Sequence, residues 1–199
     1  MLFCDVTGST SAAENLDPEE WAAIMNGAFE HLISPIYRYE GTVARLMGDA
    51  IIAFFGAPIG HEDDLKRAIL AGLDIILSYQ AEVKAKWGLD FGVRVGINTG
   101  LVVVGEVGSD MRVEYTAMGD AINLAVRIEQ TAQPGTVHIS GDTHNLIAPL
   151  FEFGPAEEIE VKGKSEQVTA YDLQEQIAFT LQDSSRAHVA VEQFPEAEA

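Results

Sequence analysis

The chain has 199 residues, 47% of them hydrophobic, which suits one domain with a sizeable core. Its formal net charge of −19, from 12 Lys and Arg against 31 Asp and Glu, argues against a nucleic-acid-binding surface and predicts no nucleic-acid partner. The lone cysteine, Cys4, excludes an internal disulfide and a cysteine-rich zinc site and favours a reducing, cytoplasmic location.

The first half of the sequence alternates strands and helices. Its first long helix begins clearly, with Asp17 as N-cap and Pro18 at the first helical position. A later helix has the acids of "HEDD" at its start, which favours helix capping over a ligand role. The predicted elements are a strand over 2–6, a polar loop "TGST", a helix over about 18–39, a hairpin with strands near 42–47 and 50–56, and a helix over about 61–86.

The second half continues the alternation and ends in additional strands. Its predicted elements are strands near 90–98 and 101–107, a helix over 119–132, the strand "TVHIS", a short helix near 141–148, and the strands "EEIEV" and "VTAYDL". This order indicates an α+β fold with a ferredoxin-like antiparallel sheet and helices mainly on one face.

The two ends of the chain differ in character. From about residue 176 the pattern dissolves, so we expect a catalytic domain over 1–175 and an acidic, disordered tail or linker over 176–199. The first strand starts with little lead-in, which suggests a fragment of a longer protein that carries regulatory domains. No apolar run reaches the ~18–20 residues that a bilayer requires, so direct membrane insertion is not expected.

Two acids interrupt apolar stretches. Asp5 ends the first strand, and Asp49 lies in the turn of the hairpin. In a ferredoxin-like sheet the first strand is next to the third, so the two carboxylates would face each other, with no basic residue beside either. Such a pair needs a proton or cations between its members, and Mg²⁺ prefers oxygen ligands. The alternative is that Asp5 caps a turn and Asp49 only occupies one.

The segment "VTGST" supports a phosphate site beside these acids. Successive backbone N–H groups of Thr7, Gly8, Ser9 and Thr10 can form an anion-binding nest, and Gly8 permits close approach. The segment is not a Walker loop, because "GxxxxGK[ST]" is absent.

The segment "EYTAMGDAINLAVRIE" carries three polar candidates. Asn123 and Arg127 are four residues apart and therefore share one face of a helix. Thr116 lies where the preceding strand ends and could present its hydroxyl to a base. The alternative is a structural Asn that bonds a nearby carbonyl, with a surface Arg beside it.

Several long motifs, in order from the first residues to about 173, resemble the catalytic domain of class III adenylate and guanylate cyclases. They are "LFCDVTGST", "GTVARLMGDAIIAFFGAP", "HEDD", "VRVGINTG", "YTAMGDAINLAVRIEQ" and "VKGK". The resemblance implies a head-to-tail homodimer with two active sites at the interface. Each site would take its metal-binding side from one subunit and its base-binding side from the other.

The resemblance also implies a role for individual residues. Two Mg²⁺ (or Mn²⁺) ions per active site would bind Asp5, Asp49 and the Val6 carbonyl. The nucleotide contacts implied by the resemblance are Arg94 at the terminal phosphates, Asn123 at the ribose, Arg127 at the reacting phosphate, and Lys162 of the partner subunit at the pyrophosphate.

The base-reading pair implied by the resemblance is Arg45 and Thr116. Adenylate cyclases of this family usually have Lys with Asp or Thr, and guanylate cyclases Glu with Cys. With Thr116, the chain therefore resembles the Thr-bearing subgroup of adenylate cyclases, which is often linked to bicarbonate stimulation. Arg45 stands in place of Lys; it can still donate to adenine N1, although its guanidinium is longer and forked. The implied reaction converts ATP to cyclic AMP and pyrophosphate.

Two alternatives remain beside this interpretation. Because Arg45 departs from the usual Lys, the chain could be a nucleotide-binding regulatory homologue with little catalysis. The second alternative is a different two-metal phosphoryl-transfer enzyme on a similar fold. The absence of a "GGDEF"-type signature argues against it.

Overall fold

The computed structural model describes residues 1–14, 16–87, 92–109, 112–160 and 167–173. Up to the third helix, the elements are β1 (Leu2–Thr7), α1 (Ser9–Ala13), α2 (Pro18–Arg38), β2 (Thr42–Met47), β3 (Ala50–Phe54) and α3 (Asp64–Trp87). The rest are β4 (Gly92–Ile97), β5 (Val103–Ser109), β6 (Arg112–Met118), α4 (Asp120–Thr131), β7 (Val137–Ser140), α5 (Gly141–Ile147), a 3₁₀ turn (Ala148–Leu150), β8 (Glu157–Ile159) and β9 (Val168–Asp172).

The predicted α+β fold is confirmed, and the first strand does lie beside the third. The main sheet of the described chain has seven strands in the order β2-β3-β1-β4-β7-β9-β8. Every neighbouring pair is antiparallel except β4 and β7, which are parallel, so the sheet is mixed rather than wholly antiparallel. The tail predicted over 176–199 lies outside the described residues.

Three local predictions need correction. The "TGST" segment is not all loop, because β1 runs to Thr7 and α1 begins at Ser9. The strand after β4 does not join the main sheet but pairs with β6 in a separate two-stranded sheet. The sequence indicated β6 only as a strand that ends at Thr116, and it runs on to Met118. The helix predicted from residue 61 begins at Asp64, whose carboxylate accepts a hydrogen bond from the His61 backbone N–H at 2.7 Å.

The sheet is covered on both faces. In β1, Leu2, Cys4 and Val6 point into the main core, whereas Phe3 packs on the opposite face with Ala125 of α4. Helices α2, α3 and α5 all contribute to the main core, and α4 lies across the other face. No helix in the described part of the chain combines the length and apolarity needed to cross a bilayer.

Helix α4 lies directly against β4 at a glycine. A Cβ added to Gly96 would sit 2.3 Å from the backbone nitrogen of Glu129 and 2.5 Å from the carbonyl oxygen of Ala125. Both neighbouring atoms belong to the helix backbone, so no side-chain rotation can relieve the overlap. The distance between β4 and α4 therefore depends on the absence of a side chain at residue 96.

We expect Gly96→Ala to lower the free energy of unfolding by about 2 kcal/mol or more, because the added methyl forces α4 away from the sheet. The matched control is Gly105→Ala, since a Cβ at Gly105 meets nothing within 4 Å. Urea unfolding of both variants tests this. Equal midpoints for the two would contradict the close backbone packing.

Candidate active site

The two acids singled out in the sequence lie side by side at one end of the central strands. Asp5 of β1 is directly opposite Ala50 of β3, and Asp49 immediately precedes that residue in the β2–β3 turn. The backbones meet there, where the Val6 N–H donates to the Asp49 carbonyl oxygen at 3.3 Å. Burial, and secondly the negative charge of Asp49, raises the pKa of Asp5. The pair thus has the mutual repulsion that a bound cation would relieve.

A positively charged side chain lies beside this pair, contrary to the expectation that neither acid has a basic neighbour. Arg94 of β4 is the cross-strand partner of Asp5, and its Nη2 donates to Asp5 Oδ2 at 3.1 Å. The contact lowers the pKa of Asp5 but does not outweigh burial and Asp49. The sequence separation of 89 residues hid this neighbour, because the contact depends on the β1–β4 register.

Ser9 orients the second acid. Its hydroxyl donates a hydrogen bond to Asp49 Oδ2, and the Ser9 side chain is buried at the start of α1. Gly8, with a φ of 84°, provides the sharp change of direction between β1 and α1. The predicted nest is therefore divided, with Thr7 in a strand, Gly8 in the turn, and Ser9 and Thr10 in the first turn of a short helix.

A third acid was not singled out in the sequence. Glu129 of α4 is 1% exposed, and its Oε1 lies 2.8 Å from Arg94 Nε. Burial raises the pKa of Glu129 to about 7; Arg94 opposes the shift, whereas the charges of Asp5 and Asp49 add to it. The available signal was spacing: residue 129 follows Ala121 and Ala125 at intervals of four, on the buried side of the helix.

The other two residues proposed on α4 lie away from this cluster. The buried side of α4 is formed by Ala121, Leu124, Ala125, Ile128 and Glu129. Asn123 is exposed, and Arg127 donates from Nη1 to Gln130 Oε1 at 2.9 Å on the helix surface. Among the described side chains, no hydrogen bond or ion pair links either residue to the acid pair.

The two base-reading candidates come from strands of different sheets. Arg45 is exposed on β2, Thr116 lies on β6 opposite Gly105, and β2 contacts β6. The side chains of Thr116 and Thr10 lie outside the described part of the structure, as does the whole of Lys162.

The donor set at the acid pair suits a hard divalent cation. It consists of the carboxylate oxygens of Asp5 and Asp49. The Ser9 hydroxyl holds Asp49, and the Arg94 guanidinium lies beside Asp5. Within the described residues, no group of three or more acidic, His or Cys side chains converges on one point. Further ligands would therefore be backbone carbonyls, water or phosphate oxygens, which is the coordination that Mg²⁺ at nucleotide sites usually has.

Comparison with known proteins identifies the family. The profile of the adenylate and guanylate cyclase catalytic domain matches residues 1–175. The chain belongs to the class III nucleotide cyclases. Adenylate cyclase 1 of Rhizobium meliloti (strain 1021) is 30% identical to this cyclase domain over 177 residues, covering 86% of this chain and 27% of that protein.

Solved structures of cyclases agree closely with this cyclase domain. The adenylyl cyclase CyaB from P. aeruginosa has a TM-score of 0.82 at 30% identity, covering 86% of this chain and 91% of that one. The guanylyl cyclase Cya2 has a TM-score of 0.81 at 34% identity, covering 86% and 89%. Relatives of both nucleotide specificities thus match, and the family alone does not specify the nucleotide.

This cyclase domain corresponds to only part of its curated relatives. It spans 27%, 26% and 36% of the adenylate cyclase of Rhizobium meliloti, the guanylate cyclase soluble subunit beta-2 of Rattus norvegicus and the adenylate cyclase of Anabaena cylindrica. The match therefore concerns a nucleotide cyclase catalytic domain over residues 1–175 and not the whole of those proteins.

Proposed function

We propose that this cyclase domain converts ATP to 3′,5′-cyclic AMP and pyrophosphate at two sites shared between the subunits of a homodimer. The observation that carries the proposal is the separation of the candidate residues within one chain. Asp5, Asp49 and Arg94 are clustered at the sheet, whereas Asn123 and Arg127 lie on the outer side of α4. A second copy would supply the missing half of each site.

The reaction requires positioning and positive charge rather than covalent catalysis. The ribose 3′-oxygen attacks the α-phosphorus, the bond to the β-phosphate oxygen breaks, and pyrophosphate leaves while the hydroxyl proton passes to solvent. Asp5 and Asp49, with the Val6 carbonyl, would hold two Mg²⁺ or Mn²⁺ ions. When bound, these ions activate the attacking oxygen and neutralise the leaving group.

The remaining roles belong to side chains of the chain itself. Asn123 would orient the ribose, and Arg127 would stabilise charge on the reacting phosphate. Arg94 would hold the terminal phosphates from the metal side, and Lys162 of the partner subunit from the other side. Because Thr7 is paired within the sheet, the further backbone N–H donors to the phosphates would come from Gly8, Ser9 and Thr10, which follow the end of β1.

The preference for ATP is supported by the base-reading pair. Strands β2 and β6, which carry Arg45 and Thr116, contact each other, as a base shared by the two residues would require. A guanidinium and a hydroxyl can pair with adenine, whereas neither residue is the acid that would accept hydrogen bonds from the N1–H and amino group of guanine.

The rest of the protein follows from the same proposal. Residues 1–175 would form the catalytic domain, and 176–199 an acidic tail or linker. Since the chain spans 27% of the Rhizobium meliloti relative, regulatory domains would accompany it in the full-length protein. We place the domain in the cytoplasm, where ATP is available.

A product assay tests the function. The purified chain is incubated with ATP or GTP and with Mg²⁺ or Mn²⁺, and the products are identified by mass spectrometry. We expect cyclic AMP and pyrophosphate from ATP, with GTP converted at least about tenfold less efficiently, the loss that one unsatisfied polar contact to the base can cause. Nucleotide binding without pyrophosphate release would instead identify a regulatory homologue, and a preference for GTP would overturn the assignment of the base-reading pair.

A further inference from the structure

Arg94 lies between two carboxylates of different accessibility. Its Nη2 contacts Asp5 at 3.1 Å, and its Nε lies 2.8 Å from Glu129. The Asp5 side chain is 22% exposed and that of Glu129 is 2% exposed. One end of the guanidinium therefore faces the open side of the acid pair, and the other end is enclosed beneath α4.

The two contacts differ in what competes for them. In the proposed function Asp5 is a metal ligand, and a divalent cation that takes its oxygens replaces Arg94 as the partner of that carboxylate. Glu129 is buried, so neither water nor a metal ion bound at the open side of the acid pair competes for its carboxylate. Its contact with Arg94 can therefore persist. Arg94 would then remain in contact with Glu129 through Nε, while its Nη groups become available to phosphate.

The contact with Glu129 has unused bonding capacity. Arg94 Nε and Glu129 Oε1 are buried and lie 2.8 Å apart, but the N–H is poorly aligned with the oxygen, and neither atom has another hydrogen-bond partner. A small rotation of the guanidinium away from Asp5 would complete a charge-assisted bond. Release of Asp5 thus favours the pairing with Glu129.

The backbones that carry this pair are fixed relative to each other. Arg94 and Gly96 are on the same face of β4, and the contact of Gly96 with the Glu129 backbone leaves no space for α4 to move closer. The Glu129 carboxylate therefore has a defined position above β4 from which it can orient Arg94.

We infer that Glu129 is a positioning residue, which anchors Arg94 so that its guanidinium binds the terminal phosphates of the nucleotide instead of remaining on Asp5. The inference rests on the proposed function. Glu129 has no contact with substrate in this role and acts through Arg94 alone.

The test uses the dimeric chain in four forms: wild type, Glu129→Gln, Arg94→Ala and the double variant. Binding of Mg²⁺-pyrophosphate is measured by titration calorimetry, and KM and kcat for ATP by steady-state assay. All measurements are made at about pH 8.5, above the pKa of about 7 that burial gives Glu129, so that its carboxylate is ionised. Glu129→Gln then keeps the shape and removes the charge, so we expect pyrophosphate binding about tenfold weaker and KM about tenfold higher, with a smaller change in kcat. The double variant is expected to bind no more weakly than Arg94→Ala, since Glu129 then has nothing to position.

Several results would overturn the inference. These are unchanged pyrophosphate affinity in Glu129→Gln, losses that add in the double variant, or no pyrophosphate binding by the wild type. Glu20→Gln, an exposed glutamate of α2, is the control for loss of one charge. If Glu129→Gln does not fold, Glu129→Asp takes its place: it keeps the charge but shortens the reach to Arg94, so pyrophosphate binding should still weaken, and unchanged affinity would overturn the inference. A wild type that binds pyrophosphate but makes no cyclic AMP defeats the proposed function instead.

Discussion

Asp49→Ala is expected to abolish cyclic nucleotide formation, with kcat lowered at least about 1000-fold. Asp49 is one of two neighbouring carboxylates, and the described chain offers no third acid, His or Cys group converging on the same point to replace it. Loss of half the carboxylate donors removes metal-dependent stabilisation of several kcal/mol, and about 4 kcal/mol corresponds to that factor.

The measurement combines turnover of ATP with Mn²⁺ binding followed by electron paramagnetic resonance. Asp142→Ala, an exposed acid in α5, is the control and should keep both properties. Sedimentation should show the proposed dimer for Asp49→Ala as for the wild type, because the Asp49 side chain contacts Ser9 of its own chain. Near-normal turnover in the variant would remove Asp49 from the metal site.

Mixing two inactive variants should restore activity. In the proposed homodimer, Asp5→Ala removes a ligand from the metal side of each site, and Arg127→Ala removes the phosphate contact that the partner subunit supplies. Each homodimer of a single variant is therefore expected to be inactive. In a heterodimer one of the two sites combines the intact halves. Random pairing makes half of the dimers heterodimers, so we expect recovery of about a quarter of wild-type activity.

The control mixture is Asp5→Ala with Asp49→Ala. Both substitutions affect the metal side, so every site in that heterodimer retains one defective half and no recovery is expected. The chains are co-refolded at varied ratios, and activity should be highest near equal amounts. Failure of the first mixture to recover, with dimers present, would argue for sites formed within single subunits.

The features of the candidate site that the sequence predicted are those that depend on a polar residue within an apolar stretch and on the order of the strands. Asp5 and Asp49 interrupt apolar strands, and their meeting follows from the placement of the first strand beside the third. The position of Asn123 and Arg127 on one helix face required only a spacing of four.

The parts that were missed depend on register and packing between distant segments. Arg94 reaches Asp5 only because β1 and β4 pair in one particular register. The spacing of Glu129 from Ala121 and Ala125 indicated the buried side of α4, but the contact with Arg94 depends on how closely α4 packs on β4 at Gly96. Helix α1 was not predicted because Ser and Thr in "STSAA" have weak helix propensity, and Ser9 is held there by Asp49.

The backbone contact at Gly96 has a consequence for how the domain can vary. Two main chains touch there, so the spacing between the strand and the helix is set by atoms that every sequence shares. Replacing aliphatic side chains on the far side of the sheet should change the melting temperature well before it alters that spacing. The chemistry can therefore persist while the interior behind it diverges, provided that this one position remains without a side chain.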